Sequence, residues 1–309
     1  MCQGILTISF SGGQLLWHFY IHINKRNENK MDKRNQAHVN VTHKEKQKAI
    51  ISCIATLFIF LATGLVLSVL RGFLGELFSF DSDSIVIKNI FNISAYIISG
   101  VITCILVYKD SGISLKSAFS IKKIDFSIII AGTFGIHALQ DIILQCVALA
   151  LSNNIHTDAS NETSITLVTI IELIFIAPII EEIVFRFAEI ELLRGKFKKV
   201  FICIVISFTF AICHGYGIQG ITSMFTFSLF LCLIYYRFQN LVYPIAIHMF
   251  RNAIAFLYTD KIHFLGSPIA IKNNGFIVYS KPIIVIDVFI LIAILIYAKL
   301  YYIPKYVKK

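Results

Sequence analysis

The residues with the clearest chemical potential lie in three short motifs in the second half of the 309-residue chain. The first is "EEIVFR", in which Glu181 and Glu182 are adjacent and Arg186 comes last. The helical repeat of about 3.6 residues puts Glu182 and Arg186 on one face, where they can pair, and turns Glu181 about 100° away. One glutamate therefore has a partner within its own motif, and the other must find one elsewhere.

The other two motifs supply imidazoles and an amide. "FAICH" places Phe210 and His214 one helical turn apart, and "HMFRN" does the same for His248 and Asn252. A carboxylate and a neutral imidazole can take a proton from a shared water, and a second imidazole with a carboxamide can donate hydrogen bonds to a developing oxyanion. Together the motifs contain the groups needed to hydrolyse an amide bond.

The same residue types leave other interpretations open. A zinc ion would take Glu182, His214 and His248 as ligands, although the HExxH spacing usual in zinc peptidases is absent. Each motif alone is more often structural: a Glu–Arg pair near a helix end, a packed histidine, or a His–Asn bond between helices. The joint position of the motifs in the fold decides between these interpretations.

The composition predicts an all-α, polytopic integral membrane protein. Hydrophobic residues make up 57% of the chain and charged residues 15%, and the mean hydropathy is +0.75, which excludes an ordinary soluble domain. About eight segments have the roughly 20 apolar residues that a transmembrane helix needs. These segments are 49–70, 89–108, 126–151, 164–190, 200–217, 219–236, 240–257 and 283–303. We predict one transmembrane domain over 49–303.

The three motifs are predicted to lie at similar depths in the membrane. At about 1.5 Å per residue, Glu181, Glu182 and His248 lie about 12–14 Å from the cytoplasmic helix ends, Asn252 about 18 Å and His214 about 21 Å. The spread is about 10 Å around the middle of the bilayer, and helix tilt can close much of it. We therefore expect a single buried polar site among the late helices.

The distribution of lysine and arginine predicts the orientation of the chain in the membrane. With the N-terminus inside, 21 of the 28 basic residues lie in cytoplasmic segments and 5 in external ones. The segments 1–48 and 304–309 become a basic cytoplasmic N-terminal segment and a basic cytoplasmic tail of a multi-pass cell-membrane protein. The net charge of +10 is then a topology signal, so no nucleic-acid partner is expected. A short basic leader after Met31 favours translation from there, with 1–30 upstream; an interfacial helix over 1–30 is the alternative. The Ile-, Lys- and Asn-rich composition indicates an AT-rich bacterial genome.

The ordered set EExxxR, FxxxH and HxxxN on late helices resembles the CAAX-processing and bacteriocin-processing (CPBP, or Abi) intramembrane protease family. The resemblance covers 164–257, the protease-like core. It implies cleavage of peptide bonds in membrane-associated peptides or proteins. It also implies that Glu181 and His214 activate water, that His248 and Asn252 stabilise the oxyanion, and that Glu182 with Arg186 holds the geometry.

The resemblance leaves the cofactor and the activity open. The family has been described both as metal-dependent and as glutamate-dependent without metal; we favour the metal-free version, commit to no cofactor and keep zinc as the alternative. Phe187 and Ala188 follow the arginine where the family usually has glycine, and Arg251 is an unusual buried cation. The alternatives are a non-catalytic member, such as a bacteriocin immunity or scaffold protein, and then a transporter.

Two further polar positions lie within the predicted spans. His137 and Asp141 are one turn apart in the third span, which suits either a proton relay or, as we favour, a hydrogen bond between helices. Glu172 precedes the first motif by nine positions. It is expected either to line the water path to Glu181 or to sit near the outer interface.

Overall fold

The computed structural model describes residues 41–119, 124–151, 166–214, 217–257, 263–264, 267–268, 270–273, 276–279 and 281–303. The predicted N-terminal segment up to residue 40 and the predicted tail 304–309 lie outside the described residues. The segment 152–165, which carries no basic residue, lies outside them as well. Residues 41–294 form one compact unit that contains every candidate site residue.

Eight helices follow one another along the described chain, and each overlaps one of the predicted spans. They are α1 His43–Phe78, α2 Ile85–Ser111, α3 Phe126–Leu151, α4 167–193, α5 Lys199–His214, α6 Gly217–Phe238, α7 Val242–Leu257 and α8 Lys281–Tyr297. A 3₁₀ turn, Leu115–Ala118, follows α2, and a π-helical segment, Ala298–Tyr302, continues α8.

Two short antiparallel hairpins between α7 and α8 were not predicted from the sequence. They pair β1 His263–Phe264 with β2 Ser267–Pro268, and β3 Ala270–Asn273 with β4 Phe276–Tyr279. The remainder of the described architecture is helical, as the composition predicts.

Local sequence signals explain where several helices begin and end. Thr42 caps α1 through a reciprocal box: its hydroxyl accepts from the Glu45 amide at 3.3 Å, and the Glu45 carboxylate accepts from the Thr42 amide at 2.8 Å. Gly112 ends α2 with φ +69°, and Gly195 lies just after α4 with φ +77°. Both are left-handed conformations that glycine adopts without the steric cost of a Cβ atom.

Helix α4 is interrupted by two π-helical segments that flank the glutamate pair. The first, Glu172–Ile176, precedes Pro178, and the second, Ile183–Ala188, follows Glu182 directly. Proline has no N–H and its ring clashes with the carbonyl four residues earlier, so a widened turn before Pro178 has a steric cause. The bulky Phe187 is fully buried in the second π segment.

Small residues allow the helices around α4 to approach closely. A Cβ atom on Gly100 of α2 would lie 2.9 Å from Ile180, and one on Gly132 of α3 would lie 2.8 Å from Ile247 of α7. Such contacts are typical of helix packing in membranes, where association depends on close van der Waals contact. Helices α1 and α2 pack as one hairpin and α5 and α6 as another.

The chain is a multi-pass membrane protein. In the described residues, five helices are long and apolar enough to cross a bilayer: α1, α2, α3, α6 and α8 with its π-helical continuation. Large apolar side chains point outward along them; Leu65 is 68% exposed and Phe289 67%. Such a surface suits hydrocarbon as the solvent, while the polar groups are collected inside the bundle.

Candidate active site

Glu182 is held from two sides in the interior of the bundle. Its Oε2 lies 3.1 Å from Arg186 Nε, as predicted for residues four apart on a helix, and its Oε1 lies 2.9 Å from His248 Nδ1. The Arg186 contact is an ion pair without the alignment of a hydrogen bond. Glu182 and Arg186 are completely buried. A buried carboxylate needs such partners because an isolated charge in this environment is very costly.

Arg186 connects α4 to α5 and α6. Its Nη2 donates to the hydroxyl of Ser228 at 3.1 Å and to the Ser228 carbonyl oxygen at 3.3 Å. Its guanidinium carbon lies 4.9 Å from the centre of the Phe210 ring, a cation–π contact. The first motif thus contacts the aromatic residue of the second, which gives Phe210 a structural role.

Hydrogen bonds determine which nitrogen of each histidine carries the proton. His214 Nδ1 lies 2.7 Å from the Phe210 carbonyl oxygen, which can only accept, so Nδ1 donates. His248 Nδ1 faces the carboxylate of Glu182, which Arg186 keeps as an acceptor, so this Nδ1 donates too. In neutral imidazoles the Nε2 atoms are therefore the proton acceptors.

Both acceptor nitrogens face Glu181. Its Oε2 lies 3.8 Å from His248 Nε2 and 4.0 Å from His214 Nε2, and its Oε1 lies 3.5 Å from the Tyr96 hydroxyl. Glu181 is 7% exposed, and the side chain of His214 is the most accessible of the three at 23%. The two separations from the histidines exceed a direct hydrogen bond, and the tyrosine contact lies at its outer limit. The three groups are instead spaced to share a small molecule between them.

Asn252 has a different environment from the other five predicted site residues. Its Nδ2 donates to the Leu173 carbonyl oxygen at 3.0 Å. In the π-helical segment, a carbonyl oxygen accepts from the amide five residues later, as the Glu172 carbonyl accepts from the Ala177 N–H. The corresponding partner of the Leu173 carbonyl is residue 178, which is a proline and has no N–H. Asn252 therefore supplies the bond that Pro178 cannot, as membrane helices require for backbone groups freed by proline.

Arg251 contacts residues of α3 and α6. Its Nε donates to Gln140 Oε1 at 2.9 Å, and Gln140 Nε2 in turn donates to the Ser223 hydroxyl at 2.8 Å. Its Nη1 donates to Asn252 Oδ1 at 3.3 Å, and its guanidinium lies 5.4 Å from the centre of the Phe227 ring. Arg251 thus links α7 to α3 and α6.

The zinc alternative does not fit the three ligands that the sequence suggested. The two oxygens of Glu182 face Arg186 and His248 Nδ1, whereas His214 Nε2 and His248 Nε2 face Glu181. Among the residues that the structure describes, no group of three or more His, Cys, Asp or Glu side chains has an arrangement that could hold a metal ion. We therefore derive no step through a metal.

The second predicted pair lies in α3, the helix whose Gln140 accepts a hydrogen bond from Arg251 of the third motif. His137 Nε2 is 3.7 Å from Asp141 Oδ2, and both residues are buried in α3. Asp141 also forms a hydrogen bond with the side chain of Tyr279 in β4. Asp141 thus also contacts the hairpin that precedes α8.

Three contact residues were missed by the sequence analysis. Tyr96 reaches Glu181 from α2, Ser228 holds Arg186, and the Phe227 ring lies edge-on to His248 with its centre 4.8 Å away. None belongs to a spaced polar motif. A tyrosine or serine in an apolar span is too common to indicate a site by itself.

A family model described as Rce1-like, "Type II CAAX prenyl endopeptidase Rce1-like", matches residues 163–254. The matched segment contains all three motifs, the helices α4 to α6 and all but the last three residues of α7. The match confirms the resemblance to the CAAX-processing protease family. The match supports a function as a protease. No curated protein and no solved structure matches the chain.

Proposed function

We propose that this chain is an intramembrane endopeptidase that hydrolyses peptide bonds of membrane-associated peptides or proteins. The observation that carries the proposal is the convergence of Glu181 Oε2 with His214 Nε2 and His248 Nε2, at 4.0 and 3.8 Å. A carboxylate and two imidazole acceptors around one point are suited to bind and deprotonate a water molecule. The match to a protease family over the same helices supports the assignment.

In the proposed mechanism, Glu181 and His214 accept a proton from water as its oxygen attacks the scissile carbonyl carbon. The carbonyl π bond opens to an oxyanion. The oxyanion then re-forms the carbonyl while the C–N bond breaks and the proton passes to the leaving nitrogen, which gives a carboxylic acid and an amine. Burial favours this chemistry because hydrogen bonds and charges act more strongly where bulk water is excluded. General acid–base catalysis of this type contributes about 10²–10⁴-fold to the rate.

His248 and Asn252 are the proposed oxyanion donors. His248 can donate from Nε2 once that nitrogen has taken up a proton, while the Glu182 carboxylate, 2.9 Å from Nδ1, holds the ring in place. The Asn252 amide has two N–H groups, of which one donates to Leu173. The second can donate to the substrate. Glu182 and Arg186 act as positioning residues in this scheme.

The proposed setting is a bilayer, with both termini in the cytoplasm of a bacterial cell and one transmembrane domain. The matched family is described as a prenyl endopeptidase of CAAX type. For this chain we propose membrane-associated peptides or proteins as the substrate, with no nucleic-acid partner and no committed cofactor.

The test is cleavage of a quenched fluorescent transmembrane peptide by the purified protein in lipid nanodiscs. We expect the wild type to cleave and Glu181→Gln to lose at least about 10²-fold in rate, because the isosteric amide is not a base. The exposed Glu76→Gln is the matched control and should cleave normally.

A zinc chelator is added in parallel to each protein. Cleavage that resists the chelator agrees with the proposal, and cleavage that the chelator abolishes contradicts its metal-free form. Undiminished cleavage by Glu181→Gln, or no cleavage by the wild type across a broad peptide panel, would overturn the endopeptidase proposal. The second outcome would favour a non-catalytic immunity or scaffold role.

A further inference from the structure

A polar cavity of about 260 Å³ lies beside the candidate active site, between α1, α2 and the first turns of α4. Its walls include Phe60, Leu61, Asn92, Tyr96, Ser99 and Glu172. This volume is below the roughly 300–1,000 Å³ of typical small-molecule sites. The cavity therefore suits a single side chain of a longer ligand.

Glu172 places a carboxylate in the cavity, and none of the described lining residues is a cation that could neutralise it. Asn92 Nδ2 donates to Glu172 Oε1 at 3.1 Å, and Asn89, in the amide orientation that satisfies both of its polar atoms, donates to Glu172 Oε2 at 3.1 Å. These amides fix the carboxylate without supplying a charge. Among the described residues that line the cavity, Glu172 is the one charged side chain. Its 6% exposure makes an unpaired charge costly, which favours a cationic partner.

Tyr96 connects this cavity to Glu181. Its ring lines the cavity wall, and its hydroxyl lies 3.5 Å from Glu181 Oε1. Glu172 and Glu181 are nine positions apart on α4, a separation of about 13 Å at the helical rise. An extended peptide covers that distance in about four residues. A ligand that reaches Glu181 can therefore place a side chain against Glu172.

We propose that the cavity is a substrate subsite for a protonated amine or guanidinium, supplied by a lysine or arginine about three to four residues from the scissile bond. This inference rests on the proposed function, because it assigns a binding role relative to the cleaved bond. The two amides preorganise the carboxylate, and a basic side chain would complete a charge-assisted hydrogen-bonded pair inside the bundle.

Binding tests this inference independently of cleavage. Fluorescent transmembrane peptides carry a single lysine at successive positions on both sides of the central bond, and matched peptides carry norleucine there. Their affinities are measured by anisotropy with the Glu181→Gln protein in phosphatidylcholine nanodiscs. We expect one or two adjacent lysine positions to tighten binding about tenfold, the size of a charge-assisted hydrogen bond.

The variant Glu172→Gln, made in the same Glu181→Gln background, should lose the lysine advantage, and Glu76→Gln should keep it. Equal binding of lysine and norleucine peptides at every position would overturn the inference. This comparison does not depend on whether the Glu172→Gln variant folds. A lysine advantage that survives in Glu172→Gln would overturn it too. Failure of the proposed function is seen separately, as absent cleavage by the wild type.

The amine of a lipid headgroup is the other source of the same chemistry. Phosphatidylcholine has a quaternary ammonium that cannot donate a hydrogen bond, whereas phosphatidylethanolamine has a primary amine. A lysine advantage that persists with phosphatidylethanolamine supports the peptide assignment. Its disappearance on addition of that lipid would assign the cavity to a headgroup and overturn the peptide assignment.

Discussion

Glu181 and Glu182 are adjacent in the chain, yet they belong to two regions of the site that are built differently. The anchored region consists of Glu182, Arg186, Ser228 and the Nδ1 side of His248, with contacts of 2.9–3.1 Å between neighbouring groups. The open region consists of Glu181, Tyr96 and the Nε2 atoms of His214 and His248, with contacts of 3.5–4.0 Å.

The difference between the two regions shows how a membrane protein can keep two neighbouring carboxylates in its interior. One carboxylate, that of Glu182, pairs with the Arg186 cation and with His248 of α7, so the cost of its burial is compensated. Because Arg186 also bonds Ser228 of α6, these contacts fix α4, α6 and α7 relative to one another. The other faces groups at distances that leave room for a reactant. Such a division is expected of active sites, where a rigid shell positions a group that is itself available for chemistry.

The largest expected effect comes from breaking the anchored region at Arg186. Arg186→Met leaves Glu182 buried without its cation, which should lower the free energy of unfolding by about 3–5 kcal/mol. Denaturant titration of the detergent-purified protein measures it. The double variant Glu182→Gln/Arg186→Met should recover part of the loss because it removes the orphaned charge. No recovery in the double variant would argue against the ion pair as the source of the loss.

His214→Gln is the next largest change and acts on the open region. It removes a base that faces Glu181 while keeping a polar side chain at a partly exposed position. We expect a loss of about 10²-fold in kcat for the quenched peptide, with little change in the melting temperature. The neighbouring exposed Cys213→Ser is the control and should retain activity. A variant with full activity would remove His214 from the proposed chemistry.

Much of the anchored region could be predicted from the sequence, because the Glu182–Arg186 pair follows from helical spacing alone. The ion pair is found at 3.1 Å. The bond between Glu182 and His248 joins residues 66 positions apart, and no local pattern encodes which nitrogen of which histidine faces which carboxylate. The membrane depth of the motifs predicted that they would lie close together, and the structure brings five of the six predicted residues into one set of contacts.

Other features depend on tertiary packing and could not be predicted. The bond from Asn252 to the Leu173 carbonyl requires knowing that α4 takes a π-helical turn before Pro178. The contact of Tyr96 with Glu181 depends on how closely α2 approaches α4, which Gly100 permits. The two hairpins between α7 and α8 contain strands of only two to four residues, too short for alternation to be recognised in the sequence.

Tyr96→Phe should have a smaller effect, because it removes one hydroxyl at the outer limit of hydrogen-bond distance from Glu181. The ring contact with Phe60, at 5.9 Å between centroids, is kept. We expect kcat to fall about two- to fivefold, with unchanged stability. A loss as large as that of His214→Gln would mean that Tyr96 takes part in the chemistry, in contradiction to the supporting role assigned to it.

The smallest effect is expected at the second buried pair. His137→Gln alters the contact with Asp141 in α3, outside both regions of the site. Peptide cleavage should stay within about twofold of wild type, while the melting temperature can fall modestly because a buried polar group has changed. Strong loss of cleavage with normal folding would instead favour a proton relay through α3.

The central claim is that Glu181 performs chemistry while Glu182 holds the structure, and a side-by-side measurement of two isosteric variants tests it most directly. Cleavage rate and melting temperature are recorded for Glu181→Gln and Glu182→Gln in the same nanodiscs. The account predicts that Glu181→Gln loses cleavage and keeps the wild-type melting temperature, whereas Glu182→Gln loses both stability and cleavage. A Glu181→Gln protein that cleaves normally, or a Glu182→Gln protein as stable as the wild type, would contradict it.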